Sequence, residues 1–405
     1  MRKGWEVKNF GEVCELIGGN QPPKSDFVFA PRNGYVRLIQ VRDYRTDKFL
    51  TYIPKTKAKR FCTKDDIMIG RYGPPIFGIF RGLEGSYNVA LMKAVVNESI
   101  CTKDFFYLFL KTDKLREFVE KSSKRAAGQD GVRKELLEKY PVPVPPISEQ
   151  KRIVAILDKA FAAIEKAKQN TEYNLQSAKE LFESYLKAIF ENRGTWKEEK
   201  LGQITTKIGS GATPRGGNES YKTEGISLVR SMNVHDRYFK ERNLAFIDDK
   251  QANELKNVTL EENDVLLNIT GASVARSCVM PKEYLPARVN QHVAIIRPKK
   301  EIIDSAFLNL LLTSKFYKDQ LLFTGEQGAT RQAITKVQLQ DFTVHFPPIK
   351  EQKAIVKKLD ALSAECKKLE AHYQQKLNDL EELKKSILQK AFSGELTAAG
   401  AAVEV

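Results

Sequence analysis

No stretch of this chain is apolar for long. The longest such run, Phe105 to Leu110, is far too short to cross a bilayer, and the first residues lack the apolar core of a secretory leader. A cytoplasmic protein is therefore expected. Cysteine is sparse: Cys14, Cys62, Cys101, Cys278 and Cys366 are odd in number, scattered, and never arranged as C-x-x-C. That usage fits a reducing compartment and argues against zinc. The four histidines, His235, His292, His345 and His372, show no metal-ligand spacing. No metal or cofactor is expected.

Catalytic patterns are missing too. There is no Ser/His/Asp or Cys/His arrangement, no carboxylate cluster with a lysine, and no H-E-x-x-H. Gly211 to Gly216 has the outer spacing of a phosphate-binding loop, but Gly217-Asn218 stands where Lys-Ser/Thr would follow. Pro74-Pro75 lacks the Asn or Asp before it and the aromatic after it that mark an amino-methyltransferase. No strand, glycine-rich loop and acid combine to hold S-adenosylmethionine.

What the chain does have is a repeat. Pro145-Pro146-Ile147-Ser148-Glu149-Gln150-Lys151 returns as Pro347-Pro348-Ile349-Lys350-Glu351-Gln352-Lys353, an offset of 202 that holds without a gap to Phe190/Phe392. Paired prolines suit a helix start and not its interior, Ser148 can cap the first copy, and Glu149 and Glu351 suit the positive helix end. Each copy then reads as a long amphipathic helix. In the second, Leu359, Cys366, Tyr373, Leu380 and Ile387 recur every seven residues, with Ile355, Leu362, Leu369 and Leu383 in the complementary positions. The first carries Leu157, Ile164, Thr171, Ala178 and Tyr185, with Ile153, Ala160, Ala167, Asn174 and Leu181. Such stripes either cover their own lobes or pack on each other. The matched spacing favours a pair packed on each other, and the short link at Asn192-Arg193-Gly194 makes that pair antiparallel.

Trp5 and Trp196, the two tryptophans, open a second echo at offset 191, Trp5 to Val13 against Trp196 to Ile204. The chain is thus a tandem duplication of lobe plus rod, the second lobe eleven residues longer. The expected layout is a lobe at 1–148, a long helix at 149–193, a lobe at 194–350, a long helix at 351–393 and a tail at 394–405. The fold class is α+β: two similar mixed α/β lobes joined by two long helices in an antiparallel coiled coil, with pseudo-two-fold symmetry. Within the lobes, strands are expected at 36–41, 66–73 and 88–91 and at 227–232, 264–271 and 290–295, with a helix at 105–119 echoed at 307–322.

Charge falls on the lobes. The chain carries +15, and all but one of those charges lies in 1–148 and 194–350; residues 1–60 alone hold 13 basic against 6 acidic residues. Basic lobes beside neutral rods suit a polyanion, most simply nucleic acid. The lobes share a scaffold but carry unlike polar groups on their turns, which suits two modules reading two short sequences. Arg and Lys match guanine edges, Asn and Gln match adenine, and further basic groups take phosphates. In the first lobe the candidate contacts are Lys24, Arg37, Gln40, Arg42, Tyr44 and Arg45, then Arg71 and Tyr72, then Lys124, Arg125, Gln129 and Arg133. In the second they are Arg215, Arg230, Ser231, Asn233, His235 and Arg237, then Asn268, Thr270 and Arg276, then Gln291, His292, Gln327, Arg331 and Gln332. Taken singly, each could be an ordinary solvated side chain. The set carries the argument.

Two variable lobes, each ending in Pro-Pro-Ile-x-Glu-Gln-Lys and a long helix, resemble the specificity subunit of Type I restriction–modification enzymes. So do Ala391-Phe392-Ser393-Gly394-Glu395-Leu396, Gly-Ala-Thr-Pro at 211–214 and Asn290-Gln291-His292. The first lobe departs from that pattern with Gln21-Pro22-Pro23 and Asn88-Val89-Ala90. The resemblance implies a non-catalytic reader of double-stranded DNA with a bipartite, asymmetric target, one half-site per lobe, and rods that set the spacer. It implies two methylation subunits that bring S-adenosylmethionine, and restriction subunits that join them. The reading from another class is a stand-alone nuclease or methyltransferase with an unrecognised site; modification of DNA by the purified chain alone would favour it.

Overall fold

The computed structural model describes residues 4–72, 76–123, 131–192, 194–326 and 333–397. It divides into two compact units, one of Met1–Thr171 with Gln375–Val405 and one of Glu172–Gln374. Each long helix therefore contributes a segment to each unit.

In the first unit, strand Glu6–Asn9 pairs antiparallel with Pro141–Val144, bringing the two ends of the lobe together. One four-stranded sheet runs in the order 14–18, 91–96, 67–70, 79–80, and another in the order 52–54, 35–39, 85–87, 61–62. Phe10, Phe105, Phe106, Leu115 and Val142 fill the core, joined by Ile153 and Leu157 from the first long helix and Ala391 from the second. The two helix segments run antiparallel. Lys168 Nζ meets Glu381 at 2.9 Å, Lys384 lies 5.4 Å over the Phe161 ring, and Thr397, just past the second helix, donates to Glu149 at 2.7 Å.

The second unit repeats this plan. Lys197–Lys200 pairs antiparallel with Thr343–Phe346, and one sheet runs 205–210, 293–298, 265–268, 277–279. The other runs 245–247, 226–229, 287–289, and a two-stranded hairpin of 234–235 with 238–239 is added. Phe190, Leu201, Phe307, Tyr317, Val344 and Leu359 share its core.

The long helices are Ile147–Glu191 and Ile349–Ser393, 45 residues each. Ser148 lies inside the first turn and not at the cap, because the Pro146 carbonyl already accepts from Gln150 N at 3.0 Å. The motif glutamines are the anchors of this junction. Gln150 is fully buried; its amide donates to the carbonyls of Ile100 and Pro145 and accepts from Thr102 N, at 2.7–2.9 Å. Gln352 does the same with Ile302, Pro347 and Asp304, at 2.8–3.0 Å. A buried amide with all three bonds made fixes where each helix leaves its lobe.

Along the first long helix Leu157, Ile164, Thr171 and Ala178 are buried at the expected spacing, but Leu181 and Tyr185 are exposed. Beyond Ala178 the buried positions advance by four through Phe182, Leu186 and Phe190. A straight helix drifts against a strict heptad, and here the drifted face enters the second unit's core. In the second helix Leu359 and Cys366 are buried, Tyr373, Leu380 and Ile387 half-buried, and Leu369 and Leu383 exposed.

Two further expectations are corrected. Residues 88–90 and 290–292 are turns, with strands only at Leu91–Val96 and Val293–Pro298. The single lobe-closing helix is two in each lobe, Lys103–Phe109 then Asp113–Ser123, and Ser305–Thr313 then Lys315–Glu326. Hydroxyls make the break: Thr112 Oγ1 donates to Phe109 O at 2.8 Å and Ser314 Oγ to Leu311 O at 2.6 Å, competing with the helical ladder. Among the described residues no helix is long and apolar enough to cross a membrane, and no group of three His, Cys, Asp or Glu is placed to hold a metal.

Candidate nucleic-acid interface

The second lobe brings its two sequence motifs together at one turn. Gly211 N donates to Asn290 O at 3.1 Å, and a Cβ at Gly211 would lie 1.7 Å from the Val289 carbonyl oxygen. Only glycine permits that approach. Asn290 Oδ1 accepts from His292 N at 3.1 Å and closes the turn. Above it Thr213 donates to Gln291, and His292 bonds Thr270 through Nδ1 and Gln291 through Nε2. A neutral imidazole satisfies both contacts, with Nδ1–H donating to Thr270 and Nε2 accepting from the Gln291 amide. Beside this chain opens a cleft of about 670 Å³ lined by Ser231, Met232, Thr270, Ser273, Arg276 and His292. Arg276 is half-buried, and no carboxylate pairs with it among the described residues.

Several expected readers hold the scaffold instead. Asn233 is fully buried: its Oδ1 accepts from Arg230 N at 3.0 Å and its Nδ2 donates to Lys240 O at 2.9 Å. Asn268 is equally buried and donates to Ser231 O at 2.9 Å and Ser273 Oγ at 3.2 Å, tying the strand to both cleft walls. Both side chains are buried, and both amide nitrogens are spent on the scaffold. Arg237 is bonded to Glu183 and lies 4.9 Å over the Phe182 ring, so it braces the hairpin on the long helix. Arg230 donates to Asn243 O at 2.6 Å and stacks on Tyr221. His235 stacks on Tyr238 at 4.8 Å, and Arg215 is exposed.

The first lobe builds the same turn from different side chains. Asn88 Oδ1 accepts from Ala90 N at 3.1 Å, and a Cβ at Gly19 would lie 1.9 Å from Asn88 O. Asp43 takes the place of Asn233 and accepts from Gln40 N at 3.1 Å. Burial pushes its carboxyl pKa up, even with Arg37 and Arg42 each 3.9 Å away. Arg37 pairs with Asp47 at 3.0 Å, Gln40 Nε2 donates to Thr51 at 3.1 Å, and Arg42 lies over the Phe49 ring. Tyr44 stacks on Phe80 at 4.5 Å, and burial raises its hydroxyl pKa. Arg71 lies 5.0 Å over Tyr72, while Lys24 and Arg45 are exposed and Arg133 is half-buried. Lys124, Arg125, Gln129, Gln327, Arg331 and Gln332 lie outside the described residues, as do Pro74 and Pro75.

Sequence reasoning missed Thr213, Ser273 and the Asn88/Asn290 turn. The offset of 202 between the two asparagines was the signal that could have found the turn. Charge also separates the lobes: residues 1–148 hold 27 Lys and Arg against 17 Asp and Glu, residues 194–350 hold 22 against 18.

Known proteins share this architecture. The MjaVIII Type I restriction enzyme specificity subunit of Methanocaldococcus jannaschii is 23% identical over 97% of this chain and 93% of its own length. The EcoBI specificity subunit of Escherichia coli is 26% identical over 97% of this chain and 86% of its own. A chain from a solved type I R-M system, studied for its complex assembly and conformational transition, superposes with a TM-score of 0.74 at 20% identity, covering 98% of this chain and 99% of that one. The HsdS subunit of Thermoanaerobacter tengcongensis superposes at 0.65, also with 20% identity, covering 98% of each chain. The Type I restriction modification DNA specificity domain matches twice, at residues 2–172 and 193–379, one copy for each lobe with the first part of the rod that follows it, and the chain belongs to that family.

Proposed function

We propose that this chain is the non-catalytic DNA specificity subunit of a Type I restriction–modification complex, acting in the cytoplasm. Its lobes, 1–148 and 194–350, each read one half of a bipartite, asymmetric target. The long helices at 149–193 and 351–393 carry two methylation subunits, which bring S-adenosylmethionine, and restriction subunits join that assembly. The observation that carries this reading is the paired turn: two copies of a DNA specificity domain hold one backbone and present unlike side chains on it. In the second lobe the reading groups are Arg276 and Gln291, with Gln291 oriented by His292, Ser231 and Thr270 on the same cleft, and Arg215 towards phosphate. In the first they are Arg71 and Tyr72, with Lys24 and Arg45 towards phosphate.

The test is to map methylated adenines in cells carrying this chain with its methylation partners. A two-part target with a fixed gap is expected. Arg276→Ala should lose about 1–3 kcal/mol of discrimination in one half-site and leave the other intact. A continuous short target, or methylation by the purified chain alone, overturns the proposal.

A further inference from the structure

The two lobes carry unlike side chains at matched positions of their turns. Where the second lobe presents Gln291 and His292, the first presents Val89 and Ala90 on the same asparagine-closed backbone. Where the turn after the second lobe's strand opens with Ser231, the first opens with Val41. Where Thr270 forms its isolated bridge to the chain beyond the helices, Tyr72 forms the matching one. At the asparagine-closed turn the hydrogen-bonding pair of the second lobe is thus apolar in the first, whereas in the turn after the strand Arg42 of the first lobe stands where the second has Met232. Val89 is 40% exposed at the head of that turn. Its place in the fold is that of a reader, and its chemistry cannot donate or accept.

From this we infer that the first lobe recognises a thymine by its C5-methyl group, with Val89 as the contacting side chain. The inference rests on the DNA-reading function proposed above. In the major groove thymine alone presents a methyl group, while its hydrogen-bonding edge is the same as that of uracil. Burying one methyl against an apolar partner corresponds to about fourfold in affinity. The second lobe, with its Thr213–Gln291–His292–Thr270 chain, reads by hydrogen bonds and is indifferent to that methyl.

The experiment replaces thymine by uracil in one half-site at a time and measures binding of the full chain assembled with its methylation subunits. Uracil should weaken binding about fourfold in the half-site of the first lobe and leave the other unchanged. In Val89→Ala the penalty should fall below about twofold. The variant's fold is checked by unchanged discrimination in the second half-site. A uracil-insensitive first half-site, a penalty that persists in Val89→Ala, or a first half-site without thymine overturns the inference. Failure of the specificity-subunit reading looks different: the assembly would not distinguish its target from scrambled DNA at all.

Discussion

The two lobes share the buried polar bonds that set their helix starts and turns, and differ most at the exposed heads of those turns. Gln150 and Gln352 make the same three bonds, Asn88 and Asn290 close the same turn, and Thr112 and Ser314 interrupt the same helix. At the heads of those turns the side chains diverge, Val89-Ala90 against Gln291-His292. Charge diverges as well, +10 on residues 1–148 and +4 on 194–350. A more basic lobe gains affinity through phosphates with little regard to sequence, and that share fades as salt rises.

The comparison is broken most severely at the glutamines. Gln150→Ala and Gln352→Ala each strand a buried amide N–H and two buried carbonyls, and each should cost about 3 kcal/mol or more. Thermal unfolding should show the two losses to be alike within about 1 kcal/mol, since the bonds are alike. A large inequality would mean that the clamps are not equivalent.

Next come the glycines. Gly19→Ala and Gly211→Ala place a Cβ 1.9 Å and 1.7 Å from a carbonyl oxygen, and the turn must shift. The expected cost is about 1–3 kcal/mol of stability, as for other overpacked sites. Each substitution should blur only its own half of the methylated target. Loss in both halves would contradict separate readers.

The smallest effect, and the sharpest, is at Asp43. Its carboxyl pKa is raised in the folded chain by burial, so folding favours the protonated form. That stabilisation is present at acid pH and is lost as pH rises through the folded pKa. Asp43→Asn, the residue the second lobe already has at Asn233, should therefore raise the melting temperature at pH 7. The gain should shrink as pH falls and the parent's Asp43 takes up its proton. A gain independent of pH would place the cause elsewhere.

The duplication, the rods and the basic lobes were legible because they repeat along the chain, and repetition needs no three-dimensional knowledge. The fate of individual polar residues was not. Asn233 and Asn268 look like readers in sequence, yet both are consumed by backbone groups that come from 7 and 37 residues away. Arg237 looked free and is bonded to Glu183, 54 residues earlier. Periodicity was informative up to Ala178 and misleading beyond it, because the switch to a four-residue spacing depends on what the helix meets. Nothing local in Tyr185 or Leu181 marks them as exposed.

The chain path of the first unit bears on how the protein is made. That unit takes residues up to Thr171 and then resumes at Gln375, with Ala391 and Leu396 in its core. Everything in between belongs to the second unit. A ribosome must emit all of Glu172–Gln374 before the first unit's last core residues exist, a delay of roughly 10–40 s at ordinary synthesis rates. The lobe translated first is therefore completed last. Until then the faces of its helices that will receive Ala391 and Leu396 stay bare, and the nascent protein's exposure to chaperones is greatest at its beginning.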